Sequence, residues 1–393
     1  MRILTILPSI SLLTGGAARS VLALCKTLAS AGHQVHMLTT LWPEDCQVPK
    51  SGVERRIDGY TIRIFPTETY LPARSLPHSP ALLRALDSLC SSSDMTVSHS
   101  LWNPIATFSM KLLRERKLPY AIMAHGMLDP LVLRRNRWKK LPWSMVWEKR
   151  NVEGAVMVLF NSEAERTKAE LSRFRLARTF IMPHPIDLAF WAALPPRNTL
   201  EQALPQIRGC EVILYVGRLN WVKNLDKLLH ALKLVRRRGR PAVLLCVGPD
   251  SDGEQKRMES QAQALGLADH IFFTGLQEGK ELKAAYSRAN LLVLVSKKEN
   301  FGLVVAEALA SGLPVVVSEG VDVAAGWKSS GPVRRVKPEP EAISEAILDL
   351  LDRGDKHALP DAEARNLAER EWGRTRIVEL VDRYQQILKE RAL

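Results

Sequence analysis

Cysteine is scarce: Cys25, Cys46, Cys90, Cys210 and Cys246 are an odd five, with no C-x-x-C pair among them. That scatter excludes a disulfide framework and a cysteine zinc site, and it suits reduced thiols in a cytoplasmic protein. No apolar run reaches the roughly 18 residues that a membrane-spanning helix needs. The N-terminus lacks a leader pattern, because Arg2 precedes only a short apolar run that Pro8 breaks, and no cleavage site follows. The dinucleotide fingerprint G-x-G-x-x-G is missing, and so is any recognisable RNA- or DNA-binding motif. His33 and His36 have no Cys or carboxylate partners nearby and read as helix-exit and strand residues. Negative charge is in short supply. There are 42 Asp and Glu against 55 Lys and Arg, a net charge of +13, so the expected partner is anionic.

What is present is a repeated strand–helix pattern in a chain of 393 residues, long enough for two or three domains. Residues 2–7 read as a first strand, Gly15-Gly16 as a turn, 19–31 as a helix stopped by Gly32, and 34–39 as the next strand. That is a Rossmann-like opening. Further strands are expected at 60–65, 94–99, 119–124, 154–160 and 179–182, with a surface loop at 67–80. His125-Gly126 follows one strand end, a place suited to a site, although a lone histidine is more often structural. Residues 134–150 interleave Arg134, Arg135, Arg137, Lys139, Lys140, Lys149 and Arg150 with Trp138, Trp143 and Trp147, and Pro142 could open a helix there. Such a stretch suits an anionic membrane surface, and it also fits a core-facing helix with a solvated face.

Periodicity fades and proline rises over 191–211, which reads as a linker. A second series starts at 212, with strands at 212–216, 242–248, 270–274, 291–295 and 313–317 and a degenerate strand near Arg334. The first ends in Gly217-Arg218, followed by Lys223-Asn224. A guanidinium fork and a point charge at a strand end suit a diphosphate, or are simply surface charge. Asp250-Ser251-Asp252 spells a metal–diphosphate motif. It stands between a strand and a helix start at Glu254, so both carboxylates read as helix caps and no metal is expected. After the strand at 291–295 come Glu299, Asn300, Phe301 and Gly302, then a helix over 301–310. Free N–H groups at such a helix start bind anions. Glu299 and Glu307 would stand about 12 Å apart along that helix, enough to grip two ends of one ligand. The plainer reading is a solvated glutamate and a helix-start glutamate. Helices follow at 339–352, 361–372 and 375–389.

Glu299-Asn-Phe-Gly-Leu-Val-Val-Ala-Glu307, with the Gly312-Leu-Pro-Val exit, resembles the E-x7-E signature of the retaining family 4 glycosyltransferases. The resemblance implies the GT-B fold, two Rossmann-like α/β domains with parallel sheets. It implies an acceptor-side domain at 1–190 joined by the last helix, 375–393, a linker at 191–211, and a nucleotide-sugar domain at 212–374. It implies a hexosyltransferase using a nucleoside-diphosphate sugar as co-substrate and no cofactor. By the same resemblance Arg218 and Lys223 hold the donor diphosphate, Glu299 the sugar and Glu307 the ribose. Gly275 and Leu276 hold the nucleotide, and Asn300, Phe301, Gly302 and Leu303 complete the donor site. Gly15 and Gly16 match a phosphate-facing turn, and His125 matches a histidine that contacts the donor sugar. His184 and Pro185 depart from the Asn and Gly that relatives carry at their turn. The expected acceptor is a glycan or lipid-linked glycan in surface polysaccharide assembly, with residues 134–150 on the inner face of a membrane as one option and no nucleic acid partner. The alternative is a non-catalytic protein of the same fold that binds a sugar nucleotide or a partner.

Overall fold

The computed structural model describes residues 1–11, 16–42, 48–68, 77–134, 137–172, 174–250, 253–356 and 359–392. Gly15, Cys46, Arg135, Asp252 and part of the expected 67–80 loop lie outside the described residues. The chain divides into two compact units, Met1–Ile186 with Arg374–Leu393, and Asp187–Gly373.

The first unit contains β1 (Arg2–Leu7), β2 (Gln34–Thr40), β3 (Val53–Ile57), β4 (Tyr60–Phe65), β5 (Met95–His99), β6 (Tyr120–Met123), β7 (Met157–Phe160) and β8 (Thr179–Ile181). Their order in the sheet is β3-β4-β2-β1-β5-β6-β7-β8. All pairs are parallel except β3–β4. The inner strands are buried on both faces, which is why they read as continuous apolar runs. Strand β3 was not foreseen, because Val-Glu-Arg-Arg-Ile is mostly charged and lies at an exposed edge. The signal for it is Asp58-Gly59, both at positive φ (47° and 87°), the two-residue hairpin turn that pairs Ile57 with Tyr60.

The terminal helix, Arg374–Ala392, belongs to this first unit. Ile377, Leu380, Val381, Tyr384 and Ile387 are buried in one cluster with Val21, Leu24 and Leu28 of helix Ala17–Ser30. That continuous stripe recurs at three- and four-residue steps, so one helix face is enough to fix the docking.

The segment 134–150 divides between its two readings. Pro142 does not open a helix but sits inside helix Arg137–Trp143, and a wide π-helical turn follows at Ser144–Glu148. The missing N–H and the crowded ring of a proline account for the irregular turn. Trp143 and Trp147 turn inward, 4.7 Å apart, each against Phe108. Buried Glu148 accepts from Trp102 N at 2.8 Å and Thr107 Oγ1 at 2.6 Å. Lys140 donates to Val132 O at 2.6 Å. Leu131, Trp138, Leu141, Met145 and Val146 face out, as do Arg134, Lys149 and Arg150.

The second unit contains β9 (Glu211–Val216), β10 (Ala242–Val247), β11 (Ile271–Phe273), β12 (Leu291–Leu294), β13 (Val315–Ser318) and β14 (Val333–Val336). They form one parallel sheet in the order β11-β10-β9-β12-β13-β14. The expected linker at 191–211 is folded into this unit. It carries helices Leu188–Ala192 and Thr199–Ala203 and a 3-10 turn at Pro205–Ile207. Buried Arg288 bonds Glu201 and the carbonyls of Ile207 and Cys210, so a distant side chain supplies the order that the local sequence does not.

Candidate active site

In an open α/β sheet, ligands sit beyond the carboxyl ends of the strands where the strand order reverses direction. In the second unit that point lies between β9 and β12. The loop after β9 carries Arg218 and Lys223, and the loop after β12 carries Glu299. Three contacts join these loops. Lys223 Nζ pairs with Glu299 Oε2, Lys297 N donates to Val222 O at 2.8 Å, and Asn224 Nδ2 donates to Val295 O at 2.8 Å. Lys223 and Glu299 keep 16% and 24% of their side chains exposed, so the pair is open to exchange with a ligand. Asn224 is at φ 53° and starts helix Leu225–Arg237, which puts the left-handed turn just after Lys223.

Glycines let the strand ends crowd together. Gly217, Gly248 and Gly275 follow β9, β10 and β11, and Gly248 N donates to Gly275 O at 2.8 Å. A Cβ on Gly248 would lie 2.1 Å from Gly217 O, and its φ is 147°. Leu276, beside Gly275, is 51% exposed.

Helix Leu303–Ala310, with Gly302 at its N-cap, begins two residues later than the expected start at Phe301. Gly302 has φ 70° and a Cβ there would press on Leu294 Cδ2 at 3.0 Å, so the chain can enter the helix only through glycine. Phe301 is buried edge-on to Trp372, and Asn300 is half-buried. Glu299 is fixed by its backbone, with its N–H donating to Gly320 O at 2.8 Å and its carbonyl accepting from Asp322 N at 2.9 Å. The first-turn N–H groups beyond Gly302 lack a side-chain cap. Glu307 lies inside the unit, 3% exposed, and Tyr286 OH donates to its Oε2 at 2.8 Å. Sequence reasoning missed Tyr286, 21 residues away, and no local pattern points to it.

Asp250 accepts from Glu254 N at 2.9 Å and Gln255 N at 3.3 Å, capping helix Glu254–Leu265. Among the described residues no cluster of His, Cys, Asp or Glu could hold a metal ion.

The first unit's strand order reverses between β1 and β5. Gly16 caps helix Ala17–Ser30 after β1. His125, at φ 49° just after β6, sits between two other histidines. His99 Nδ1 is 3.0 Å from His125 Nε2, and His125 Nδ1 is 3.2 Å from His184 Nε2. The ring planes incline by 30° and 13°. Burial pushes the imidazole of His125 down to about 4 and holds His99 and His184 well below the ordinary histidine range, with His125 adding to the shift of both. All three are neutral at neutral pH. The carboxylate of Glu165 accepts from Gly126 N and from Asn161 N, which anchors the turn. His99 was missed, although it ends a strand as His125 does.

Two family models match the chain. "Glycosyltransferase Family 4" covers residues 14–190 and "Glycosyl transferases group 1" covers 197–367. The chain is 28% identical over 266 residues to a D-inositol 3-phosphate glycosyltransferase of Kineococcus radiotolerans, a match spanning 63% of this chain and 61% of that protein. It is 33% identical over 190 residues to the Salinispora tropica protein of the same name, spanning 46% of this chain and 39% of that protein. It thus spans between 39% and 61% of the length of these curated relatives. Among solved structures, sucrose-phosphate synthase from Thermosynechococcus elongatus superposes with a TM-score of 0.78 at 22% identity, over 99% of this chain and 100% of that one. Anabaena HepE in complex with UDP and glucose superposes at 0.73 and 17% identity, over 98% and 99%.

Proposed function

The chain belongs to family 4 of the glycosyltransferases, on the GT-B fold, and from that premise we propose that it moves a sugar from a nucleoside-diphosphate sugar to a glycan or lipid-linked acceptor. The observation that carries the proposal is the Lys223–Glu299 pair across the β9/β12 switch point. Without ligand the two charges neutralise each other. A donor offers each a better partner, phosphate oxygens for the ammonium and sugar hydroxyls for the carboxylate. Arg218, Lys223 and the N–H groups at the start of helix Leu303–Ala310 would stabilise the charge of the leaving diphosphate. Glu307, braced by Tyr286, would hold the ribose.

The reaction proceeds with retention. The bond from the anomeric carbon to the diphosphate oxygen breaks, and the bond to the acceptor oxygen forms on the same face. The acceptor's proton passes to a diphosphate oxygen, so no metal and no carboxylate nucleophile are required. UDP and glucose in HepE support a uridine-diphosphate sugar as the first donor to try. Nucleotide release from a panel of UDP-, GDP- and ADP-sugars tests the proposal. Release from none of them, by enzyme that binds none in a thermal-shift assay, would sink it.

The role extends to a membrane surface, in the assembly of a surface or lipid-linked glycan. Its support is the run of outward Leu131, Trp138, Leu141, Met145 and Val146 beside Arg134, Lys149 and Arg150. Apolar and indole groups enter the headgroup layer while basic groups meet anionic lipid. Among the described residues no helix is long and apolar enough to cross a membrane. Replacing Trp138 and Met145 by Ser should weaken sedimentation with anionic vesicles, and unchanged sedimentation removes this part of the role.

A further inference from the structure

Three imidazoles from three separate strand ends meet at the carboxyl edge of the first unit's sheet. His99 ends β5, His125 follows β6 and His184 follows β8. Two ring-to-ring contacts of 3.0 Å and 3.2 Å link them in series through His125. A neutral imidazole has one N–H and one acceptor nitrogen. His125 must therefore donate at one nitrogen and accept at the other, and the series can run in only two directions.

The surroundings choose between them. If protons point from His184 towards His99, then His99 carries its own proton on Nε2. That nitrogen is buried and has no hydrogen-bond partner among the described residues. A buried N–H with no acceptor is the rarer and costlier defect. In the other direction His99 donates through Nδ1, His125 accepts at Nε2 and donates through Nδ1, and His184 accepts at Nε2. Only an unused lone pair is then left on His99.

We infer that His99 and His184 are positioning residues that hold His125 as its Nδ1–H tautomer, with both ring nitrogens engaged and the ring unable to turn. The inference rests on the expectation, implied by the family resemblance, that His125 contacts the donor sugar in the transfer reaction. Protonating His125 would put a hydrogen on Nε2, facing the Nδ1–H of His99. The contact survives only if His99 moves its proton to the partnerless Nε2. The direction of the chain, in addition to burial, therefore keeps the imidazole uncharged. In the same turn Glu165 accepts from Gly126 N and Asn161 N, and Asp129 Oδ1 accepts from Leu131 N at 2.8 Å.

The test is nitrogen NMR of the full chain, labelled at histidine, near neutral pH, together with turnover of whichever sugar nucleotide the donor panel identifies. His99, His125 and His184 should each show a protonated Nδ1 and a bare Nε2. His99→Leu and His184→Leu should release the tautomer of His125 and lower kcat by up to roughly 100-fold, with little change in the donor KM. His99→Asn keeps a donor where Nδ1 stood, and His184→Gln keeps an acceptor where Nε2 stood, so both should restore the signature and most of the rate. A wild-type His125 that is protonated at Nε2, or that exchanges between tautomers, overturns the inference without any variant having to fold. Leu variants that free the tautomer yet turn over at the wild-type rate overturn the positioning role. An intact signature in a chain that turns over no sugar nucleotide overturns the functional reading instead, and the positioning role with it.

Discussion

The two units present the same kind of edge and dress it in opposite chemistry. Each has a sheet, mostly parallel in the first and wholly parallel in the second, with a switch point between β1 and β5 in the first and between β9 and β12 in the second. Beyond the second sheet stand Arg218, Lys223, Glu299 and a helix start, with the Lys223–Glu299 pair still reached by solvent. Beyond the first stand three imidazoles that burial keeps neutral. The fold supplies the place, and the side chains decide the task. One edge carries charged groups, and the other carries hydrogen-bonding groups without charge.

The largest effect should come from taking charge off the second edge. Arg218→Ala and Lys223→Ala should each lower turnover roughly 100- to 1000-fold, the usual loss when one electrostatic contact to a developing charge goes. Steady-state kinetics with the preferred donor reads this directly. Two variants at the wild-type rate would move the donor site elsewhere and dissolve the contrast between the edges.

Next comes acid, which should act on the first edge. The native His125 imidazole titrates at about 4, below its ordinary 6.5, so the unfolded chain takes up the proton first. Its contribution to stability is complete above pH 6.5 and is lost as pH falls from 6.5 towards 4. The full difference is of the order of 3 kcal/mol for this one group. Urea midpoints measured across that range should fall in the wild type and fall less in His125→Leu. Equal slopes would show that the stack is not what acid attacks.

The two glutamates sharpen the second edge from within. Glu307→Ala should weaken binding of the free nucleotide, because it removes the proposed ribose contact. It should also lower stability by about 1–3 kcal/mol, because it removes the buried carboxylate that accepts from Tyr286 OH. Glu299→Ala should leave nucleotide affinity nearly intact and impair transfer. Calorimetry with UDP beside kinetics with the sugar nucleotide separates them, and the reverse pattern would exchange their roles.

Much of this was legible because buried parallel strands leave unbroken apolar runs. Leu291–Leu294 and Val315–Ser318 lie where those runs end, and Glu299 could be placed from them. Illegible features depend on partners far along the chain. The stack joins histidines 26 and 59 residues apart, and Glu307 meets a tyrosine 21 residues away. The stretch 191–211 looked like a linker because its order comes from Arg288. The exposed edge strand β3 carries charge instead of an apolar face, so only its turn betrayed it.

The smallest expected effect is none at all: removing divalent metal should leave turnover unchanged. The D-x-D spelling at Asp250 invites the opposite expectation, but its first carboxylate is already engaged. Asp250 accepts from Glu254 N and Gln255 N and so caps a helix, while Asp252 lies outside the described residues. A metal is needed at a diphosphate when the protein supplies no cations of its own, and the proposed site has Arg218, Lys223 and a helix start. Asp250→Ala should therefore lower stability by about 1 kcal/mol, the usual cost of losing a cap, and barely change kcat. Activity abolished by EDTA, restored by manganese or magnesium and absent from the Asp250→Ala/Asp252→Ala double variant would mean that the second edge meets the diphosphate through a metal. The contrast between a charged edge and a neutral one would then have to be rebuilt around that ion.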